Sequence, residues 1–246
     1  MKLISKSNFS SLGGNLVASA LGLAVFMILA RIMNPTVFGY ITIFYAMAGL
    51  GDLVRTGFVR QGLVREYSVA ASDSERKSII ASAWILHTAI ALGIILVVWI
   101  INVSVVKLFN FTFDASWSYF FCYYPILLIV SMPHQMDAWV ANAKGSFLRM
   151  NSTRALVNFI IIVLMLLLKD EQQNAEYVIY VMILANLAVS VPSLARFPLH
   201  DIFSRIGRVY VAKLYHYGKY SMTTLAGVNL LKSTDILIIG AFIGPV

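Results

Sequence analysis

The chain has 246 residues, 59% of them hydrophobic and 12% charged, with a mean hydropathy of +0.80. A soluble domain of this length has too little interior to hide that much apolar side chain, so the composition points to a polytopic membrane protein. The formal charge of +8 would suit a nucleic-acid binder if the chain were soluble. Here the cations flank apolar spans, which argues for anionic membrane lipids as partners and against nucleic acid. The single Cys122 excludes an internal disulfide.

In chain order, spans of bilayer length are predicted at 10–33, 37–58, 78–103, 115–140, 152–168 and 177–195, with most of a seventh at 220–243. Backbone groups in lipid must be satisfied within each segment, so the spans are read as helices. The roughly ten-residue alternating segments of a barrel are missing. Lys2 and Lys6 precede the first span like a signal sequence. The small-residue triplet Ala18-Ser19-Ala20 comes before the most apolar stretch, however, so a retained signal anchor is expected. The predicted fold is all-α: a polytopic transmembrane helical bundle of six spans plus most of a seventh. Its expected parts are a six-helix lobe over 1–195, a cytoplasmic amphipathic linker over 196–219 and the first helix of a second lobe over 220–246. In the linker, Leu199, Ile202, Phe203, Ile206 and Tyr210 recur at helical spacing.

Charge orients the spans. One side holds Lys2, Lys6, Arg60, Arg65, Arg76, Lys77, Lys144, Arg149, Arg154, Arg196, Arg205, Arg208, Lys213 and Lys219, against Arg31, Lys107 and Lys169 on the other. The positive-inside rule then puts the N-terminus in the cytoplasm. Trp84 and Trp139 are expected near the inner interface, Trp99 and Trp117 near the outer one. Aligning Pro35 with Pro245 pairs Ile28-Leu29-Ala30-Arg31-Ile32-Met33-Asn34-Pro35 with Ile238 through Pro245. This suggests a six-helix unit followed by the opening of a second.

A few polar residues stand out inside these spans. Asp52 and Arg55 fall at i, i+3 in span two, and Arg60 and Arg65 follow at its cytoplasmic end. An intramembrane charge is costly against lipid, so Arg55 is expected to face a cavity, where its planar fork suits phosphate oxygens. His134 and Asp137 repeat the spacing after Pro133 and form a candidate proton relay. Lys232 and Asp235 repeat it in span seven, so Asp52, Lys232 and Asp235 are read as intramembrane charge partners. His87 is read as a packing residue. Gly14, Ala18 and Gly22, four apart in span one, are read as a close helix contact. No metal-ligand spacing, phosphate loop or nucleophile motif is present, so no enzyme, cofactor or metal is expected.

The run Leu29-Ala30-Arg31-Ile32-Met33-Asn34-Pro35-Thr36-Val37-Phe38-Gly39-Tyr40 resembles the end of helix one in bacterial polysaccharide flippases, where glycine usually stands in place of Asn34. Gly51-Asp52-Leu53 through Gln61-Gly62-Leu63-Val64-Arg65-Glu66 resembles that family's end of helix two, and Thr234-Asp235 through Gly244-Pro245 its helix seven. The family belongs to the multidrug/oligosaccharidyl-lipid/polysaccharide exporter superfamily. The resemblance implies the first lobe of a two-lobe transporter fold in the bacterial cytoplasmic (inner) membrane. It implies alternating-access export of an undecaprenyl-diphosphate-linked oligosaccharide, of O-antigen or capsule type. Arg31, Arg55 and Arg60 are the diphosphate ligands it suggests. Implied partners are lipid-linked oligosaccharide, polysaccharide assembly proteins and a second-lobe chain. Because the resemblance stops at helix seven, transport by this chain alone is expected to be incomplete. The alternatives are a cation-coupled multidrug exporter of the same superfamily, an inactive membrane remnant and, less favoured, an envelope polysaccharide polymerase.

Overall fold

The computed structural model describes residues 6–109, 115–167, 174–197 and 206–242, with side chains for 12–104, 117–167, 174–197 and 206–225. All regular structure among them is helical: α1 (Lys6–Ile32), α2 (Pro35–Arg55), a π-helical turn (Thr56–Arg60), α3 (Gln61–Val69), α4 (Asp73–Phe109), α5 (Ala115–Ala143), α6 (Phe147–Leu167), α7 (Ala175–Leu194) and α8 (Arg208–Phe242). Five stretches within it are long and apolar enough to cross a membrane: Leu12–Ile32, Pro35–Val69, Asp73–Ser104, Phe147–Leu167 and Ala175–Leu194. The protein is thus an all-helical membrane protein.

Local chemistry sets the helix ends. Asn34 caps α2, its side chain accepting from the Thr36 N–H at 2.9 Å, and Pro35 sits at the first helical position, where its missing N–H costs nothing. The asparagine that replaces glycine in the helix-one motif therefore serves as a cap. Ser72 and Glu75 cap α4 reciprocally: the Ser72 hydroxyl accepts from the Glu75 N–H at 3.2 Å, and the Glu75 carboxylate from the Ala71 N–H at 2.8 Å. Between α5 and α6 the chain turns at Gly145, whose φ of 73° suits glycine. The Ser146 N–H reaches back to the Ala141 carbonyl at 2.8 Å, closing the last turn of α5.

α5 is the axis of the bundle and packs on α2, α4, α6 and α7. It is not among the five apolar stretches; it carries two prolines and the polar residues Ser131, His134, Gln135 and Asp137. α1 packs chiefly on α6. Gly14 faces Asn151, and Asn158 donates to the Ala18 carbonyl at 3.4 Å, so the Gly14, Ala18 and Gly22 stripe is a packing contact. α8 crosses the π turn and α3 closely. A side chain at Gly57 would meet the Met222 backbone at 2.7 Å, and one at Gly218 would overlap the Phe58 carbonyl. At its start, Gly207 bonds Ser82 of α4, and the Tyr210 hydroxyl donates to Glu75 at 3.0 Å, which raises the Tyr210 pKa.

Trp84 and Trp139 are buried against His87, with ring centroids at 6.4 and 4.7 Å. The expected partition at 219/220 falls inside α8, which runs unbroken from Arg208 to Phe242. The linker residues 198–205 lie outside the described residues.

Candidate functional site

Polar residues of α2 and α5 meet beside Pro133. Pro133 has no N–H to offer the preceding turn, and nearby carbonyls of α5 bond side chains of other helices. The Leu128 carbonyl accepts from the Arg55 guanidinium at 3.2 Å and from the Ser131 hydroxyl at 3.0 Å. The Val130 carbonyl accepts from Ser190 of α7 at 2.5 Å.

Arg55 is completely enclosed. Its guanidinium pairs with Asp52, reaches Ser131 at 3.3 Å and lies 3.5 Å from His87 Nε2. It ends α2 where the helix widens into the π turn, a distortion that occurs often at functional sites. Asp52 differs from its partner: its side chain is 44% exposed. It faces a chamber of about 210 Å3 whose polar walls are Asp52, Ser131, Gln135, Asn158 and Asn186. Gln135 tops the network at 3.5 Å from Asp52 and 3.4 Å from Ser131. Tyr45 and Asn158 also line a second, apolar chamber of about 380 Å3 between α1, α2 and α6, walled by Val25, Phe26, Leu29 and Phe38. The two chambers share a wall, one polar and one apolar.

A second carboxylate behaves differently. Asp137 of α5 is fully buried and binds two arginines, Arg149 of α6 and, at 2.8 Å, Arg196 just past α7. It ties the ends of three helices together. His134 bonds Ser190 at 3.0 Å, one turn deeper.

Several predicted roles change. Arg55 does not face the cavity. The carbonyl and hydroxyl on α5 and the carboxylate of Asp52 hold its two terminal nitrogens inside the bundle, leaving Nε buried without a partner, so Asp52 is the group presented to the chamber. His134 and Asp137 share a helix face but not a hydrogen bond. Each has a closer partner on another helix, so the predicted relay is not assembled. Arg31, Arg55 and Arg60 are not brought together. Arg31 is exposed at the far end of α1, and Arg55 lies twenty residues past Pro35, about 30 Å along the α2 rod. Arg60 is half-buried, close enough to Arg154 of α6 for the two cations to repel. The side chains of Lys232 and Asp235 lie outside the described residues. Sequence reasoning missed Ser131, Gln135, Asn186 and Ser190; their signal is polarity at buried positions of α5 and α7. Among the described residues no cluster of His, Cys, Asp and Glu could hold a metal ion.

No protein-family model, no curated protein and no solved structure matches the chain.

Proposed function

We propose that the chain is the first lobe of a lipid flippase, with a cytoplasmic N-terminus and α5 and α8 crossing the membrane beside the five apolar stretches. Its cargo is an undecaprenyl-diphosphate-linked oligosaccharide carried across the bacterial cytoplasmic membrane by alternating access. One observation carries this reading: a chamber of carboxylate, amide and hydroxyl groups adjoins an apolar chamber inside a membrane bundle. Sugar hydroxyls find acceptors and donors at Asp52, Gln135, Asn158 and Asn186, and hydrocarbon finds a surface of like polarity next door. The helix-one and helix-two motifs support the same reading. With Arg55 enclosed, Arg60 and the nearby Arg154 are two cations available to meet a diphosphate at the cytoplasmic mouth.

A ligand that binds only the folded state raises the melting temperature. Purified chain in nanodiscs is expected to melt higher with an undecaprenyl-diphosphate-linked sugar and not with undecaprenol. No rise at any concentration would refute the proposal. The half-exposed Asp52 also favours a second reading, export of a cationic amphiphile. Tetraphenylphosphonium would then raise the melting temperature of the wild type but not of Asp52→Asn.

A further inference from the structure

The polar chamber has a second neighbour. On the other side of α2 lies an apolar groove of about 480 Å3, lined by Leu50 and Val54 of α2, Val97 and Ile101 of α4, and Phe120 and Phe121 of α5. Tyr124 lines both the groove and the polar chamber, so one aromatic ring separates them. The ring stacks on Phe120 with centroids 4.8 Å apart, and its hydroxyl is pressed against Gly51. That hydroxyl has no hydrogen-bond partner, although Tyr124 is only 2% exposed. A buried, unpaired hydroxyl is disfavoured and calls for a reason. Asp52 and Arg55, the charged groups one turn apart beneath it, are bonded to each other and to Ser131 and Gln135.

We propose that this groove holds the hydrocarbon chain of the ligand, and that Tyr124 is the wall that swings aside to let the chain pass from the polar chamber to the bilayer. The inference rests on the reading above that the ligand is a lipid. The groove runs along α2 and α4, each of which holds a stretch long and apolar enough to cross a membrane, and hydrocarbon is the occupant chemically matched to its walls. Exposed Leu96, Val97 and Ile101 continue the apolar surface on α4. Gly51 explains why the wall can close: any β-carbon there overlaps the Tyr124 hydroxyl, so Gly51→Ala holds the ring away from its closed position. Val97→Trp acts oppositely and fills the groove from its open side.

The test is photocrosslinking of the purified chain in nanodiscs of phosphatidylethanolamine and phosphatidylglycerol, with undecaprenyl phosphate carrying a diazirine on its tail. Labelled peptides are mapped by mass spectrometry. The expected label falls on Val97, Ile101 and Phe121. It is competed by unlabelled undecaprenyl phosphate, lost in Val97→Trp and increased in Gly51→Ala. Circular dichroism and elution volume confirm that both variants fold, and Val97→Leu serves as a variant that leaves the groove open. Label confined to Phe26, Leu29 and Phe38 of the other apolar chamber would overturn the groove while leaving the lipid reading intact. Equal labelling of the groove by a diazirine-bearing phosphatidylcholine would overturn it as well, by making it ordinary lipid contact. Absence of competed label anywhere would overturn both this inference and the proposed function.

Discussion

Asp52 and Asp137 each anchor an ion pair within the helical bundle, and the two groups are built in opposite ways. At Asp137 the acid is buried and its two arginines are exposed, Arg149 by 40% and Arg196 by 52%. At Asp52 the arginine is enclosed and the acid is 44% exposed. The buried member of a pair cannot find another partner, whereas the exposed member can turn to water. The Asp137 group is therefore a fastening among α5, α6 and the end of α7. The Asp52 group keeps a carboxylate available to a ligand and uses a hidden arginine to hold it in place.

The largest expected effect comes from stranding the hidden arginine. Asp52→Ala leaves the Arg55 guanidinium enclosed without its counter-ion, at a cost of about 3–5 kcal/mol. Thermal unfolding of the purified protein should report this loss. Arg55→Met in the same chain should restore most of it, because methionine fills similar space without charge. A double variant no more stable than Asp52→Ala would show that Arg55 is not the reason for the loss.

Removing the acid from the other group should do less harm. Asp137→Ala leaves Arg149 and Arg196 close together, but both already reach water. The expected cost is about 1–3 kcal/mol, mostly the lost hydrogen bonds to buried oxygens. If Asp137→Ala proves the more damaging of the two acid substitutions, the contrast between the groups collapses.

Smaller still are the single arginine substitutions. Arg149→Ala and Arg196→Ala should each cost below about 1 kcal/mol, since the other arginine continues to hold Asp137 and each pair has one solvated member. Together they strand a buried carboxylate, so the double variant should lose more than the sum of the singles. Strict additivity in chemical or thermal unfolding would mean that the two arginines do not share one acid.

Sequence pattern revealed some of this and hid the rest for a physical reason. Helical spacing brought Asp52 and Arg55 together correctly, because residues three apart on a helix touch whatever surrounds them. The same spacing misled at His134 and Asp137, where Ser190, Arg149 and Arg196 compete from other helices. Arg149 and Arg196 counted only as topology signals, since nothing local says that a cation near a helix end will reach an acid on another helix. Hydropathy located the helices, including α5, whose apolar run is broken at Ser131 and Gln135 where the polar chamber lies. It could not tell which way Arg55 would turn, because enclosure in protein and exposure to a wet cavity both avoid lipid.

The smallest effect on stability is expected at Gln135, and it separates fastening from binding most cleanly. Its amide lies 3.4 Å from Ser131 and 3.5 Å from Asp52, at the long limit of hydrogen bonding, and the side chain is half-buried on the chamber wall. Gln135→Ala should therefore cost under about 1 kcal/mol. It also removes an amide donor and acceptor from the surface offered to a sugar, and it leaves the Asp52–Arg55 pair in place. The expected result is near wild-type melting in the empty protein and a much smaller melting shift on adding lipid-linked sugar. Asp137→Ala should show the reverse: lower melting in the empty protein, with the ligand-induced shift preserved. If Gln135→Ala keeps the full shift, the chamber wall does not read the sugar, and the apolar surfaces alone would have to account for any binding that remains.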